Sequence, residues 1–303
     1  VSDRLSVMGV VHHVDSPFLL NPSSLNRAVA DSLPQSARFF VRSQGASKSV
    51  LQTQGGVTAR YVGEGVRAET TVYGLTRALY NPIPGRVIDL DRKAGGWRSV
   101  LSGDQAHVGW TIGLDVEAQR DTRREFVNAG LPDGQVNTIE SPDVLKHVQL
   151  GNQLQDQKES VTSFGPFAHL GWKLGMRWIV SVGVRYDHFS FDVIDRLQAG
   201  NVDVSGTRSM GQWSPSLGVT FRATDLMSVY ANVGTAFQTP TTTELGNQPN
   251  GVGGFNPNLE PERMRSFEVG LKGFSSSGVV AYDVAGYVMT IRDMLIPFQV
   301  AGS

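Results

Sequence analysis

Hydrophobic residues in this chain recur at every second position far more often than at helical spacing, and a period of two marks a strand with one wet face. Residues 106 to 118 show it best. Ala106, Val108, Trp110, Ile112, Leu114, Val116 and Ala118 would share one face, with His107, Gly109, Thr111, Gly113, Asp115 and Glu117 on the other. Trp178, Val180, Val182, Val184 and Tyr186 stand against Ser181, Gly183, Arg185 and Asp187 in the same way. Pro215, Leu217, Val219 and Phe221 repeat the pattern, as do Phe267, Val269 and Leu271.

The alternation predicts strands over 3–15, 47–62, 66–80, 86–102, 106–120, 160–173, 177–191, 212–222, 227–238, 264–273 and 279–292. Many exceed the usual length of soluble strands and reach the roughly 9 to 11 residues that cross a bilayer at a tilt. The connections are uneven. Gly63 to Gly65, Gly103 to Gln105, Leu174 to Met176, Ala223 to Leu226 and Phe274 to Gly278 are tight, whereas every alternate connection except Asn81 to Gly85 is long. A soluble sandwich has no reason to keep its tight turns at one end, while an outer-membrane barrel has short turns on one side and long loops on the other. Trp172 and Trp178 flank one short turn and Trp110 lies near another, as an interfacial girdle requires. Tyr186 and Trp213 would sit at the opposite end, where strands meet long loops.

Composition sharpens this picture mainly by exclusion. The 303 residues carry 27 Lys and Arg against 28 Asp and Glu, so the electrostatic footprint of a nucleic-acid binder is missing. Without cysteine there is neither a disulfide scaffold nor a thiolate metal site. No apolar run approaches the ~18 residues of a membrane-spanning helix, a test that a transmembrane barrel escapes because its apolar surface sits in alternate residues. The six histidines have no zinc-binding spacing, and His12 and His13 would point to opposite strand faces. Gly251 to Gly254 lacks the lysine and helix of a phosphate loop and reads as a loop tip. Asp115, Glu117, Arg185 and Asp187 alternate as the wall of a wet lumen would, and no nucleophile motif appears. Nothing points to an enzyme, a metal site or a cofactor.

From residue 227 to 273 the chain runs MSVYANVGTAFQTPTTTELGNQPNGVGGFNPNLEPERMRSFEVGLKG. Tyr230, Ala231, Gly234, Phe237 and Pro240, then Asn256, Pro257, Leu259, Pro261 and Glu262, then Ser266, Phe267, Glu268, Gly270 and Lys272 keep the order and spacing of a family pattern. In these residues the chain resembles the C-terminal part of a TonB-dependent outer-membrane receptor. Gly183 to Asp187 and Ser214 to Gly218 resemble barrel strands of that family. Independently of any family, Pro257 and Pro261 remove backbone donors and hold the preceding residues extended, which leads out of a loop without starting a helix.

The expected fold is therefore all-β: an antiparallel transmembrane β-barrel segment of about eleven strands. Family barrels have about 22 strands around a separate plug. The resemblance thus implies that 1–303 is a partial barrel domain, with the signal peptide, plug and C-terminal strands outside it. It also implies a location in the bacterial outer membrane, contact with outer-membrane lipid, and import of a scarce bulky ligand. That ligand is most often an iron-siderophore complex, with energy delivered by the TonB system through the plug. A passive porin-like channel and a soluble β-sandwich binding module are the alternatives. Recognition is expected in the long connections 121–159, 192–211 and 239–263. Asn247, Gln248, Asn250 and Asn256 are candidate hydrogen-bonding tips, and Arg120, Arg123 and Arg124 could attract an anionic ligand or ring the barrel mouth against lipid headgroups.

Overall fold

The computed structural model describes residues 3–21, 23–132, 144–248 and 252–296. Its strands are β1 (Leu5–Leu20), β2 (Ser47–Val62), β3 (Val66–Ile83), β4 (Arg86–Gln105), β5 (Val108–Gly130) and β6 (Gln149–Leu174). They continue as β7 (Trp178–Asp195), β8 (Gly206–Arg222), β9 (Met227–Gln238), β10 (Glu262–Phe274) and β11 (Ala281–Arg292). All lie in one 11-stranded sheet, ordered β1 to β11. Each pairs antiparallel with its chain neighbours, so the whole meander is built from hairpins. Among the described residues β1 pairs only with β2 and β11 only with β10, which leaves the sheet open.

Register carries the alternation across strands. Val57, Val72, Trp97, Val116 and Phe164 are successive partners on β2 to β6 and form one apolar row on what we call the outer face. Trp172, Trp178, Val182, Leu217 and Val233 share that face and are 44% to 54% exposed, an apolar surface that water would not stabilise. The inner face is recognised by its buried charges, Asp121, Glu125, Glu159 and Asp187. Tight turns close one end, with Gly65 at φ 73° and Gly175 at φ 63°, a left-handed backbone that glycine adopts without a Cβ clash.

The eleven expected strands are all present, but they are longer at the opposite end. β5 runs to Gly130 instead of 120, β6 starts at Gln149 instead of 160, and β8 starts at Gly206 instead of 212. In these extensions the hydrophobic alternation stops while the hydrogen-bonded ladder goes on, so a reading by hydropathy could not see them. Tyr186 and Trp213 consequently lie below the strand ends, with rings 4.9 Å apart on the outer face. The long connections are correspondingly shorter than expected: 131–148, 196–205 and 239–261.

Short helices occupy these loops. α1 (Arg27–Ser32) and α2 (Phe39–Ser43) lie between β1 and β2, α3 (Val144–His147) precedes β6, and α4 (Thr242–Leu245) precedes β10. The Asn26 side chain caps α1 by accepting from the Val29 N–H. The first loop is tied down by Asn128, whose amide donates to the Gln44 carbonyl at 2.8 Å and the Ile83 carbonyl at 2.9 Å.

Candidate functional site at the long-loop end

β5 places Glu117, Gln119, Asp121, Arg123 and Glu125 in a line along the inner face, because residues two apart on a strand point the same way. Asp121 and Glu125 are held from the neighbouring strand β4, and Glu117 accepts from Tyr73 on β3. Arg92 on β4 is the register partner of Asp121 and grips its carboxylate through two nitrogens, Nε to Oδ1 at 3.0 Å and Nη2 to Oδ2 at 2.7 Å. Gln119 adds a bond to the same carboxylate at 3.1 Å, and Asp121 is only 4% exposed. One step higher, Glu125 is shared between Arg123, at 2.7 Å, and Arg86, at 2.8 Å. Deeper in the wall, Arg185 bridges Asp115 at 2.7 Å and Asp187 at 2.6 Å, with the ring of Phe167 beneath its guanidinium at 5.6 Å. A buried carboxylate survives only when paired, and here the pairs leave the wall polar without a large net charge.

The loop between β9 and β10 folds back over this wall. Thr241 and Glu244 form a reciprocal capping box that starts α4. Leu245 at the helix end is fully buried against Phe191 and Met210, with Val161, Phe189, Phe255 and Leu259 around them. Thr242 donates its hydroxyl to Glu159, and Arg123 donates to the Thr243 hydroxyl at 3.2 Å. Between loop and wall lies a cavity of about 630 Å³. Tyr73, Arg92, Glu117, Arg123, Phe189 and Thr241 are among its lining residues. Its size falls within the range of small-molecule sites, and it offers hydroxyls, amides and aromatic edges around paired charges. Such a lining can bind and orient a polar ligand.

The site residues expected from sequence are dispersed over this region. Arg123 faces the cavity, whereas Arg120 and Arg124 are on the outer face, and all three belong to β5 and not to a loop. Arg124 is engaged by Asp89 and Asp91, both at 3.0 Å. Asn247 is exposed. Gln248 is used internally, donating to the carbonyls of Gly253 at 2.9 Å and Gly254 at 3.2 Å. Asn250 lies outside the described residues. The Asn256 carbonyl accepts from Arg208 at 2.7 Å, and its backbone N–H donates to Leu245 at 2.7 Å. In the described part of the glycine-rich tip Val252 is exposed, while Gly253 and Gly254 lie against Asp203, whose carbonyl accepts from the Gly254 N–H at 2.9 Å. Hydrogen bonds from the Ser205 hydroxyl and backbone N–H hold the Asp203 carboxyl below the ordinary carboxylate range.

The sequence motif of residues 230–272 builds the loop's frame. Tyr230 on β9 covers Gly270 on β10 so closely that a Cβ there would come within 2.5 Å of the ring. Phe237 meets Phe189 edge-on at 6.1 Å, Pro240 is fully buried, Leu259 joins the Leu245 cluster, and Pro261 is buried beside the start of β10. Gly234 pairs with Ser216 and Ser266, Glu268 sits opposite Asn232, and Glu262 accepts from the Leu295 N–H. Pro257 lies between Asn256 and Asn258, whose N–H closes on the Asn256 side chain at 3.0 Å. Sequence reasoning missed Arg92, Asp121, Glu159, Thr242 and Thr243. No local spacing marked them, because both faces of β5 are polar from Gln119 to Glu125.

Comparison with known proteins supplies the remaining context. A family model described as TonB dependent receptor-like, beta-barrel, matches residues 22–303. The vitamin B12 transporter BtuB of Vibrio vulnificus (strain YJ016) is 30% identical over 109 residues, covering 36% of this chain and 16% of the transporter. The unliganded ferric citrate transporter FecA superposes with a TM-score of 0.69 at 14% identity, covering 96% of this chain and 41% of FecA. The copper transporter OprC gives 0.62 at 18% identity, covering 82% of this chain and 42% of its own. The ferric yersiniabactin uptake receptor FyuA of Yersinia pestis gives 0.59 at 16% identity, covering 82% and 37%. The chain thus spans about two fifths of the length of these solved proteins.

Proposed function

Because this chain belongs to the TonB-dependent receptor β-barrel family, and so to the outer membrane, we propose that it forms part of the wall of a receptor that imports a scarce, bulky ligand, an iron-siderophore complex. On this reading the remaining strands, a plug and the contact with TonB are supplied by parts of the receptor beyond these residues. The observation that carries the proposal is the inward-folded loop 239–261, which with the charged inner wall encloses a cavity at the long-loop end. The wall's threonine, tyrosine and glutamine groups suit the oxygen-rich surface of a chelate, and the phenylalanines suit its carbon framework. The role of these residues is to bind and guide.

The test uses the full receptor in its own membrane. Deleting Thr241 to Gly254 is expected to weaken or abolish uptake of radiolabelled ferric siderophore while the barrel still assembles, and dissipating the proton gradient is expected to stop uptake by the intact receptor. Uptake that survives loss of the gradient would mark a passive channel. Uptake untouched by the deletion, and by a matching cut within 131–148, would place recognition elsewhere, most simply on the plug.

A further inference from the structure

Above the outer row of Val72, Trp97, Val116 and Phe164, the inner face of β3 to β6 carries four charges at one level. Arg77 is the cross-strand partner of Arg92, Arg92 of Asp121, and Asp121 of Glu159. Two cations therefore lie side by side, followed by two anions. The next inward level below holds Leu75, Ala94, Gln119 and Val161, and the level above holds one charge, Arg123, which is committed to Glu125. Like charges directly opposite each other weaken a strand pair, so alternating signs would have been the less costly order. Within the row, Arg92 and Asp121 satisfy each other through bonds of 3.0 and 2.7 Å, but the two ends do not share in this. Among the described residues Arg77 has neither an ion pair nor a hydrogen bond, and its Nε is buried without a partner. At the other end Glu159 is 6% exposed; its carboxylate accepts from the Thr242 hydroxyl and has no paired cation among the described residues. A buried charge without its counter-charge is costly, so each end is a site for a group of opposite sign.

The two open charges are opposite in sign and well separated. Three strand spacings of ~4.8 Å set the Arg77 and Glu159 backbones about 14 Å apart, the scale of a folded iron chelate and not of one functional group. Arg92, Asp121 and Glu159 line the cavity beneath loop 239–261, and Arg77 stands next in the row. Resting on the reading that this receptor imports a ferric chelate, we propose that the row selects a dipolar one, with a carboxylate at one end and an ammonium at the other. The carboxylate seats on Arg77, whose planar fork of donors matches two carboxylate oxygens. The ammonium seats on Glu159, beside the Thr242 hydroxyl. Between them the Arg92–Asp121 pair is neutral and faces the uncharged core of the chelate. A chelate with a single charge leaves one end of the row open, and a polyanionic one brings negative charge against Asp121 and Glu159, so both are disfavoured.

The test uses the full receptor in cells that lack their other ferric-chelate receptors, with uptake of radiolabelled iron as the readout. The probes are a panel of ferric siderophores and a series of ferric linear trihydroxamates ending in an ammonium, a carboxylate, both or neither. At limiting concentration the dipolar chelates should be taken up best. Arg77→Gln should lower their uptake about tenfold, the loss of one charge-assisted contact, and leave the ammonium-only member unchanged. Glu159→Gln, whose amide oxygen still accepts from Thr242, should lower uptake of the dipolar and ammonium-only members by a similar factor and spare the carboxylate-only one. This crossover separates ligand contact from a folding defect, which would weaken every member alike, and the wild-type preference stands even where a variant assembles poorly. Best uptake of a chelate that lacks either charge would overturn the proposal while leaving import intact, as would uptake unchanged by both substitutions. Equal losses across the series would overturn it too, the result expected if Arg77 and Glu159 hold groups of the plug. Uptake of no chelate at all would overturn the import reading and this proposal with it.

Discussion

The two halves of β7 have opposite polarity. From Trp178 to Tyr186 the outward residues are apolar and the inward ones, after Ile179 beside the turn, are Ser181, Gly183 and Arg185. Beyond Asp187 the order reverses: Phe189, Phe191 and Val193 point inward, while His188, Ser190 and Asp192 point outward. Val182 in the lower half is 49% exposed, whereas Phe191 and Val193 in the upper half are 5% and 3% exposed. One continuous hydrogen-bonded strand therefore serves two solvents. Lipid lies against the outer face below, and a folded loop lies against the inner face above, so apolar side chains follow the apolar neighbour and not a fixed side of the sheet.

The largest expected effect comes from placing one charge in both halves. Val182 lies midway between Trp178 and Tyr186, two aromatics about 26 Å apart along the strand at ~3.3 Å per residue, close to the bilayer midplane. Val182→Arg in the full receptor should cost about 2–4 kcal/mol in bilayer unfolding titrations. Ile194→Arg, on the same outer face but above the band, should cost less than about 1 kcal/mol because water and headgroups solvate it. Ser181→Arg should also be mild, since it faces the wet lumen. Equal costs at residues 182 and 194 would erase the boundary between the halves.

The same boundary explains what was legible beforehand. In the band, lipid on one face and a wet lumen on the other enforce strict alternation, and all eleven strands can be read from it. Above the band both faces of β5 are polar, from Arg120 and Asp121 to Arg124 and Glu125, so periodicity carries no signal while the ladder to β6 persists. The loop motif was visible as a pattern in Asn256, Pro257, Leu259 and Pro261, but its inward packing depends on Leu245 meeting Phe191 and Met210 across distant strands. No local spacing encodes that contact. The arginines illustrate the same limit, because Arg123 and Arg124 are adjacent in sequence yet face opposite sides of the sheet.

A smaller effect separates the inner and outer charges of the upper half. Asp121 is buried and holds Arg92 and Gln119, so Asp121→Ala strips both of a partner in a site that water reaches only partly. The expected cost is about 1–3 kcal/mol, moderated because the Arg92 side chain is 31% exposed. Asp91 makes a comparable ion pair with Arg124, but its side chain is 57% exposed. Asp91→Ala should therefore cost less than about 1 kcal/mol. Urea titration of the two variants in the same membrane checks the order, and a reversed order would mean that the inner wall is as wet as the outer surface.

The smallest effect concerns the loop alone. Thr241 caps α4 by accepting from the Glu244 N–H at 3.3 Å, while the Glu244 carboxylate accepts from the Thr241 N–H at 2.7 Å. Thr241→Ala removes half of this exchange, a loss of about 1 kcal/mol. The strands do not depend on the helix, so the loss should appear as local opening and leave barrel unfolding unchanged. Hydrogen exchange at the Leu245 and Asn256 amides, which donate to Thr241 at 2.9 Å and to Leu245 at 2.7 Å, should quicken about fivefold, while amides of β5 and β6 keep their rates. Ligand affinity should fall by much less than this factor, because it scales with the closed fraction of the loop, which stays near one while opening is rare. If exchange quickens in the strands as well, the loop is part of the barrel's cooperative unit, and the division between a lipid-supported lower half and a loop-supported upper half must be redrawn to include it.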